Sequence, residues 1–419
     1  MARFIVSGGR PLQGSLRVSG AKNAALPILA ASLLSDKEIV LSDCPWLRDV
    51  ENMLSILAAL GAKWVREDNI VRINPEPAHS FIMPHRSSKE LRSSIFTLGP
   101  LLGRFKRAVC TYPGGCEIGH RPIDLHLKGL SMLGVNITEE HGQIICDGRN
   151  MKGAEIHLDY PSVGATENII MGAVRAQGET VIHNAAREPE IVDLEKLLCA
   201  MGFEVSGAGT SDVTIVGSTK PTKAVEHTII PDRIVAGTML CAAAITGGEI
   251  TLYNVQSVHM ASVIAKLREA GCIMLCDEDS LTLKAPDRLR EVKLIETLPY
   301  PGFPTDMQAQ FFALCTLAEG TSVVVENVFE GRFKHAAELA RMGAVFTQKD
   351  RTVVIRGVKK LTGAQVYARD LRGGAALTIA GLAAQGETIV MNAELIDRGY
   401  EGLEHMLERV GARIRREED

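Results

Sequence analysis

The chain has 419 residues, 46 basic and 50 acidic side chains, a net charge of -4 and a hydrophobic share of 46%. That length exceeds a single hydrophobic core and fits two or three domains, while the near-neutral balance argues against a general nucleic-acid binder. Nine cysteines without a Cys-x-x-Cys pair read as reduced thiols of a cytoplasmic protein, and neither a signal peptide nor the roughly 18-residue apolar run of a membrane span is visible.

Residues 3–7 and 14–18 predict two short strands. Ser19-Gly20-Ala21-Lys22-Asn23 then leads into an apolar helix containing Pro27. A lysine and an asparagine at a helix start beside glycine suit a phosphate or carboxylate, although one such lysine alone is more often a solvated one.

From there the chain repeats. An amphipathic helix ends in glycine and a strand follows at Gly61, Gly134, Gly202, Gly271, Gly343 and Gly411, a period of about 70 residues. The helices carry their apolar residues at i, i+3, i+4 and i+7, as in Val50, Met53, Leu54 and Leu57. Glycine after the last apolar residue is the usual helix C-cap. A second helix recurs with the same period, ending before strands that begin near Gly178, Gly248, Gly320 and Gly386. Six units of two helices and several strands suit two α/β domains of three units each, with a boundary between residues 216 and 231. Cys199, Cys241, Cys272 and Cys315 fall in apolar runs and read as packing residues.

Several segments do not read as core. Tyr112 to His126 places Cys116 among Gly114, Gly115, Gly119, His120, Arg121 and Asp124, which fits either a reactive thiol on a lid or an ordinary surface loop. Arg92 falls early in a helix begun by Ser87-Ser-Lys-Glu. Ser162-Val163-Gly164 offers the backbone donors of a helix start to a diphosphate. Thr305-Asp306 follows two prolines and reads as an N-cap pair, a role that does not exclude catalysis. Asp370-Leu-Arg372-Gly-Gly374 and Asp397-Arg398 repeat a charged residue at a helix start, and Arg332 follows the strand at 323–325. There is no Walker loop and no strand-linked Gly-x-Gly-x-x-Gly, so nucleotide hydrolysis and dinucleotide chemistry find little support.

Ser19 to Pro27, Pro113 to His126, Pro304 to Gln308 and Arg369 to Gly374 together closely resemble the enolpyruvyl transferases, and within them the UDP-N-acetylglucosamine 1-carboxyvinyltransferases. The Pro-Gly-Gly-Cys116 loop, with Arg-Pro-Ile-Asp-Leu-His after it, is the most discriminating motif. The resemblance implies two inside-out α/β barrels, residues 22–229 forming one and residues 1–21 with 230–419 the other, and an active site in the interdomain cleft. It implies transfer of the enolpyruvyl group of phosphoenolpyruvate to the 3′-hydroxyl of UDP-N-acetylglucosamine, with release of phosphate. That is the first committed step of peptidoglycan synthesis, hence of cell-wall biogenesis, cell shape and division.

By motif match Cys116, Asp306, Lys22 and Arg398 are the expected catalytic residues. Cys116 would be the acid toward carbon 3 and the target of the epoxide fosfomycin, and Asp306 would handle the sugar proton. Lys22, Arg121, Arg372 and Arg398 would hold phosphoenolpyruvate. The UDP-sugar would be met by Asn23, Arg92, Arg121, Pro122, Ile123, Asp124, Leu125, Ser162, Val163, Gly164, Asp306 and Val328. Tyr160 stands where some relatives carry a basic residue, and His126 reads as either structural or functional. No cofactor, metal, nucleic acid or membrane partner is implied, and the oligomeric state is left open. A 5-enolpyruvylshikimate-3-phosphate synthase-like transferase and a non-catalytic UDP-sugar binder are the alternatives.

Overall fold

The computed structural model describes residues 2–84, 92–112 and 123–418, the side chains of Arg92 and Ser93 excepted. They divide into two compact units, one made of residues 2–19 and 231–418, the other of residues 20–230 as far as they are described. Each has its own hydrophobic core.

In the first unit, the helices Arg233–Thr246, Gln308–Cys315 and Leu371–Ala383 pack on one another and are buried almost all round. A helix apolar on every side belongs inside a core. Around these helices stand three four-stranded sheets, whose strands alternate buried and exposed residues, as Thr321–Val325 does. The second unit repeats the plan with central helices Lys22–Ala31, Leu98–Phe105 and Val163–Ala173. Helices inside and sheets outside give the inverted α/β arrangement. No sheet closes on itself among the described residues.

The sheets share one topology. In Leu294–Glu296, Thr321–Val325, Thr352–Arg356 and Val345–Lys349, the first pair is parallel and the next two pairs are antiparallel. All five four-stranded sheets follow this order. The sixth has three strands, with the parallel bridge Ile82↔Val109 where the fourth strand would stand.

The periodic glycines explain the regularity. All six adopt positive φ, from +85° at Gly134 to +103° at Gly61, the left-handed turn that ends a helix and starts the next strand. The helix stripe also holds: Val50, Met53, Leu54 and Leu57 of Arg48–Ala59 are fully buried.

The two initial strands are built into sheets from the other end of the chain. Ala2–Ser7 lies between Glu387–Met391 and Arg413–Glu418, and Gln13–Arg17 pairs parallel with Glu249–Tyr253. Cys241, Cys272 and Cys315 are packing residues, but Cys199 is exposed, its thiol donating to the Val205 carbonyl at 3.3 Å. It occupies the outer face near the end of Pro189–Ala200, where apolar neighbours in sequence belong to the opposite face.

Candidate active site

The three central helices of the first unit each begin near an aspartate. Asp232 accepts hydrogen bonds from Ile234 N and Val235 N at 2.8 and 2.9 Å, and Asp370 accepts from Arg372 N and Gly373 N at 3.0 and 2.9 Å. Both are caps that satisfy first-turn N–H groups.

Asp306 behaves differently. It lies in the turn Thr305–Met307 ahead of Gln308–Cys315, and no side-chain cap bond forms there. The N-cap pairing expected of Thr305 and Asp306 is therefore absent. Instead, Arg332 Nη2 reaches Asp306 Oδ1 at 2.6 Å and Arg372 Nη2 reaches Oδ2 at 3.0 Å. Both guanidinium side chains are only 3% exposed, against 25% for Asp306. The Nε groups of Arg332 and Arg372 have no hydrogen-bond partner among the described residues. Buried, unmatched N–H groups beside a partly open carboxylate suit an incoming anion.

Further contacts fix this cluster. The Arg372 guanidinium stands over the Tyr400 ring at 5.2 Å. Tyr400 OH and Thr238 Oγ1 are 2.9 Å apart, and Gln310 Nε2 donates to Thr238 Oγ1 and to the Asp306 carbonyl, each at 3.0 Å. Burial opposes the charge on Arg372, but Tyr400, Asp306 and Asp232 outweigh it and raise its pKa. His335 is fully enclosed near Asp370 and Arg332, and burial pushes it down to about 4, so it is neutral at pH 7.

In the second unit, Lys22 opens the helix Lys22–Ala31 and its Nζ lies 2.7 Å from Asp49 Oδ2, with both side chains buried. Asp49 is in the first turn of Arg48–Ala59, where the helix dipole favours a carboxylate. Asn23 is half-buried beside Lys22, and Pro27 removes the helical donor for the Asn23 carbonyl.

Two further helix starts meet in this unit. Ser162 caps Val163–Ala173, its side chain accepting from Ala165 N at 3.4 Å. A Cβ on Gly164 would lie 2.9 Å from the Phe96 ring and 3.0 Å from His126, so only glycine lets that turn sit against Asp124–Met132. Ile123 is buried, Leu125 half-buried and Asp124 exposed. His126 is held 3.1 Å from Asn168 Nδ2. Tyr160 is exposed.

Of the remaining expected residues, Arg398 is half-buried at the end of the turn Ala393–Arg398, and Val328 donates its backbone N–H to Glu326. Cys116, Arg121 and Pro122, like the side chain of Arg92, lie outside the described residues. No group of histidine, cysteine and carboxylate side chains able to hold a metal occurs among those described.

Solved structures of similar fold include enolpyruvyl transferases. The enolpyruvyl transferase NikO from Streptomyces tendae aligns with a TM-score of 0.89 at 22% identity, covering 99% of this chain and 98% of that one. An EPSP synthase from Acinetobacter baumannii aligns at 0.78 and 19% identity, covering 100% of both. In sequence, residues 6–407 match the EPSP synthase (3-phosphoshikimate 1-carboxyvinyltransferase) family. The UDP-N-acetylglucosamine 1-carboxyvinyltransferase 2 of Caldanaerobacter subterraneus subsp. tengcongensis is 50% identical over 414 residues, 99% of each chain. The UDP-N-acetylglucosamine 1-carboxyvinyltransferase 1 of Carboxydothermus hydrogenoformans is 50% identical over 416 residues, 99% of this chain and 98% of its own. The chain thus belongs to the EPSP synthase family of enolpyruvyl transferases and, within it, to the UDP-N-acetylglucosamine 1-carboxyvinyltransferases.

Sequence reasoning noted Arg332 without giving it a role and passed over Asp49, Gln310, Glu326 and Tyr400. The one local signal was a charged residue set against an apolar run, as at Glu326 after Val323, Val324 and Val325.

Glu167 shows the same signal in the helix Val163–Ala173. It is fully buried, neither carboxyl oxygen has a hydrogen-bond partner among the described residues, and burial, then Glu190 and Glu188, raise its pKa well above the usual range. A group raised on folding contributes fully below its unfolded pKa, about 4.3, and that contribution is lost as pH rises through the folded value. Glu167→Gln, neutral at every pH, should therefore melt with a flatter decline than wild type as pH rises above the unfolded value of about 4.3. Parallel melting curves would refute it.

Proposed function

We propose that this chain transfers the enolpyruvyl group of phosphoenolpyruvate to the 3′-hydroxyl of UDP-N-acetylglucosamine and releases phosphate, opening peptidoglycan synthesis. The near full-length likeness to 1-carboxyvinyltransferases carries the reading. The Arg332–Asp306–Arg372 cluster supports it, because it combines a fixed carboxylate with cations suited to an anionic substrate.

The residues divide the chemistry. As the sugar oxygen bonds to carbon 2 of phosphoenolpyruvate, Asp306 takes the hydroxyl proton. Each of its oxygens accepts one guanidinium N–H, which fixes the orientation of the carboxylate. Cys116 gives a proton to carbon 3, and the tetrahedral intermediate then loses phosphate from carbon 2 and a proton from carbon 3. Arg372 and Arg398, now joined by Arg332, serve the carboxylate. Lys22, Arg121 and Arg398 serve the phosphate, where fixed cations stabilise charge as the C–O bond breaks. Arginines and a lysine can carry that charge without a metal.

The UDP-sugar is assigned Asn23, Arg92, Arg121 to Leu125, Ser162 to Gly164, Asp306 and Val328. The domain division at 22–229 against 1–21 with 230–419 belongs to the same reading and is supported by the separate cores. A cytoplasmic setting agrees with the free thiols, and no helix of the described residues is long and apolar enough to cross a membrane.

The test is phosphate release from phosphoenolpyruvate with UDP-N-acetylglucosamine, run beside shikimate 3-phosphate. Wild type should release phosphate with the UDP-sugar alone, and Cys116→Ala should suppress both release and labelling by fosfomycin. Release only with shikimate 3-phosphate would reassign the acceptor, and release with neither would end the reading.

A further inference from the structure

Glu326 is completely buried at the end of the strand Thr321–Val325, yet it approaches no substrate in the chemistry above. A buried carboxylate needs hydrogen bonds to offset lost hydration, and the donors it finds come from three separate segments. Thr297 Oγ1, beyond the strand Leu294–Glu296, donates to Oε1 at 2.9 Å. Thr305 Oγ1 lies 3.1 Å from Oε1 and 3.0 Å from Oε2. Val328 N and Phe329 N donate to Oε1 at 2.9 and 3.0 Å.

The pattern joins two residues assigned to the acceptor sugar. Thr305 immediately precedes Asp306, and Val328 is held directly. The segment 326–332 is thus fastened at both ends to one turn: Glu326 grips Thr305, and Arg332 grips Asp306. With its N–H committed to Glu326, Val328 presents its carbonyl as the remaining backbone group for a ligand.

We infer that Glu326 is a positioning residue for the acceptor, fixing the Asp306 carboxylate and the Val328 backbone in register with each other. The inference rests on the proposed function and adds to it a determinant of UDP-sugar binding that touches no substrate. Thr305 is its relay, since that hydroxyl ties the turn carrying Asp306 to the carboxylate.

Steady-state kinetics of the full chain, with each substrate varied in turn, test this. Thr305→Val keeps the shape and removes the hydroxyl; Thr305→Ser keeps the hydroxyl; Glu326→Gln keeps the shape and removes the charge. Loss of one hydrogen bond to a charged acceptor corresponds to about a tenfold change. Thr305→Val and Glu326→Gln should each raise KM for UDP-N-acetylglucosamine by roughly that factor, leave KM for phosphoenolpyruvate within about twofold and combine less than additively. Thr305→Ser should restore wild-type values. A merely structural role would move both KM values together or neither, and either result overturns the inference. If Glu326→Gln does not fold, the two Thr305 variants decide alone. Absence of wild-type turnover would remove the proposed function and this inference with it, whereas an unchanged UDP-sugar KM in an active enzyme removes only the inference.

Discussion

Asp306→Asn should lower kcat by about 10²- to 10⁴-fold, the range a positioned acid–base group contributes, in a protein that still folds. Asparagine keeps the shape but cannot accept the sugar proton, and its amide presents N–H groups to one of the two guanidiniums that the carboxylate now holds. Asp306→Ala should fail in a second way. Arg332 and Arg372 are each 3% exposed, so removing their shared anion leaves two buried charges without that partner. Breaking a buried pair from one side costs about 3–5 kcal/mol, to be reduced here because Asp306 is itself a quarter exposed. Saturating kcat and melting temperature, measured on both variants, separate the effects. A kcat for Asp306→Asn within about threefold of wild type would take Asp306 out of proton transfer. A melting temperature for Asp306→Ala equal to that of wild type would show that the guanidiniums do not depend on it.

Lys22→Met should reduce kcat/KM for phosphoenolpyruvate by about 10²-fold, as expected when a charged hydrogen bond to phosphate is lost. Asp49 makes the stability result informative. Its carboxylate is 2.7 Å from the Lys22 ammonium and buried, so Lys22→Met alone removes the ammonium from beside a buried anion. Lys22→Met combined with Asp49→Leu should recover much of the lost melting temperature without recovering activity, since an apolar pair can replace a buried ion pair. Recovery of activity in the double variant would mean that the ammonium does no work on the substrate. Failure to recover stability would mean that Asp49 has other partners of comparable weight.

The repeat is legible in the sequence because the features that make it are local. A glycine at positive φ after an apolar stripe needs no knowledge of the rest of the fold, and Gly61 and Gly411 report the same geometry from opposite ends of the chain. The topology common to the sheets follows from that repetition. Ion pairing is less legible. Arg332 lies 26 residues from Asp306, and Arg372 lies 66, so only tertiary packing chooses them from the other arginines. Local reasoning also favoured capping by Thr305 and Asp306, where long-range partners won both side chains. For Cys116 and Arg121 the loop motif is the whole argument, and for Lys22 the motif located the residue without its partner Asp49.

The placement of Ala2–Ser7 between Glu387–Met391 and Arg413–Glu418 bears on how the chain is made. A ribosome produces this strand before either of its neighbours. At about 5–20 residues per second, roughly 20 to 80 seconds separate the strand from its first partner. By then residues 20–230, whose core among the described residues draws on no other part of the chain, have been made. Phe4 and Val6, fully buried in the finished sheet, must meanwhile wait on an unpaired strand, the kind of edge that recruits wrong partners. The sheet that holds Ala2–Ser7 can therefore close only after Glu387–Met391 and Arg413–Glu418 have been made, long after the strand itself.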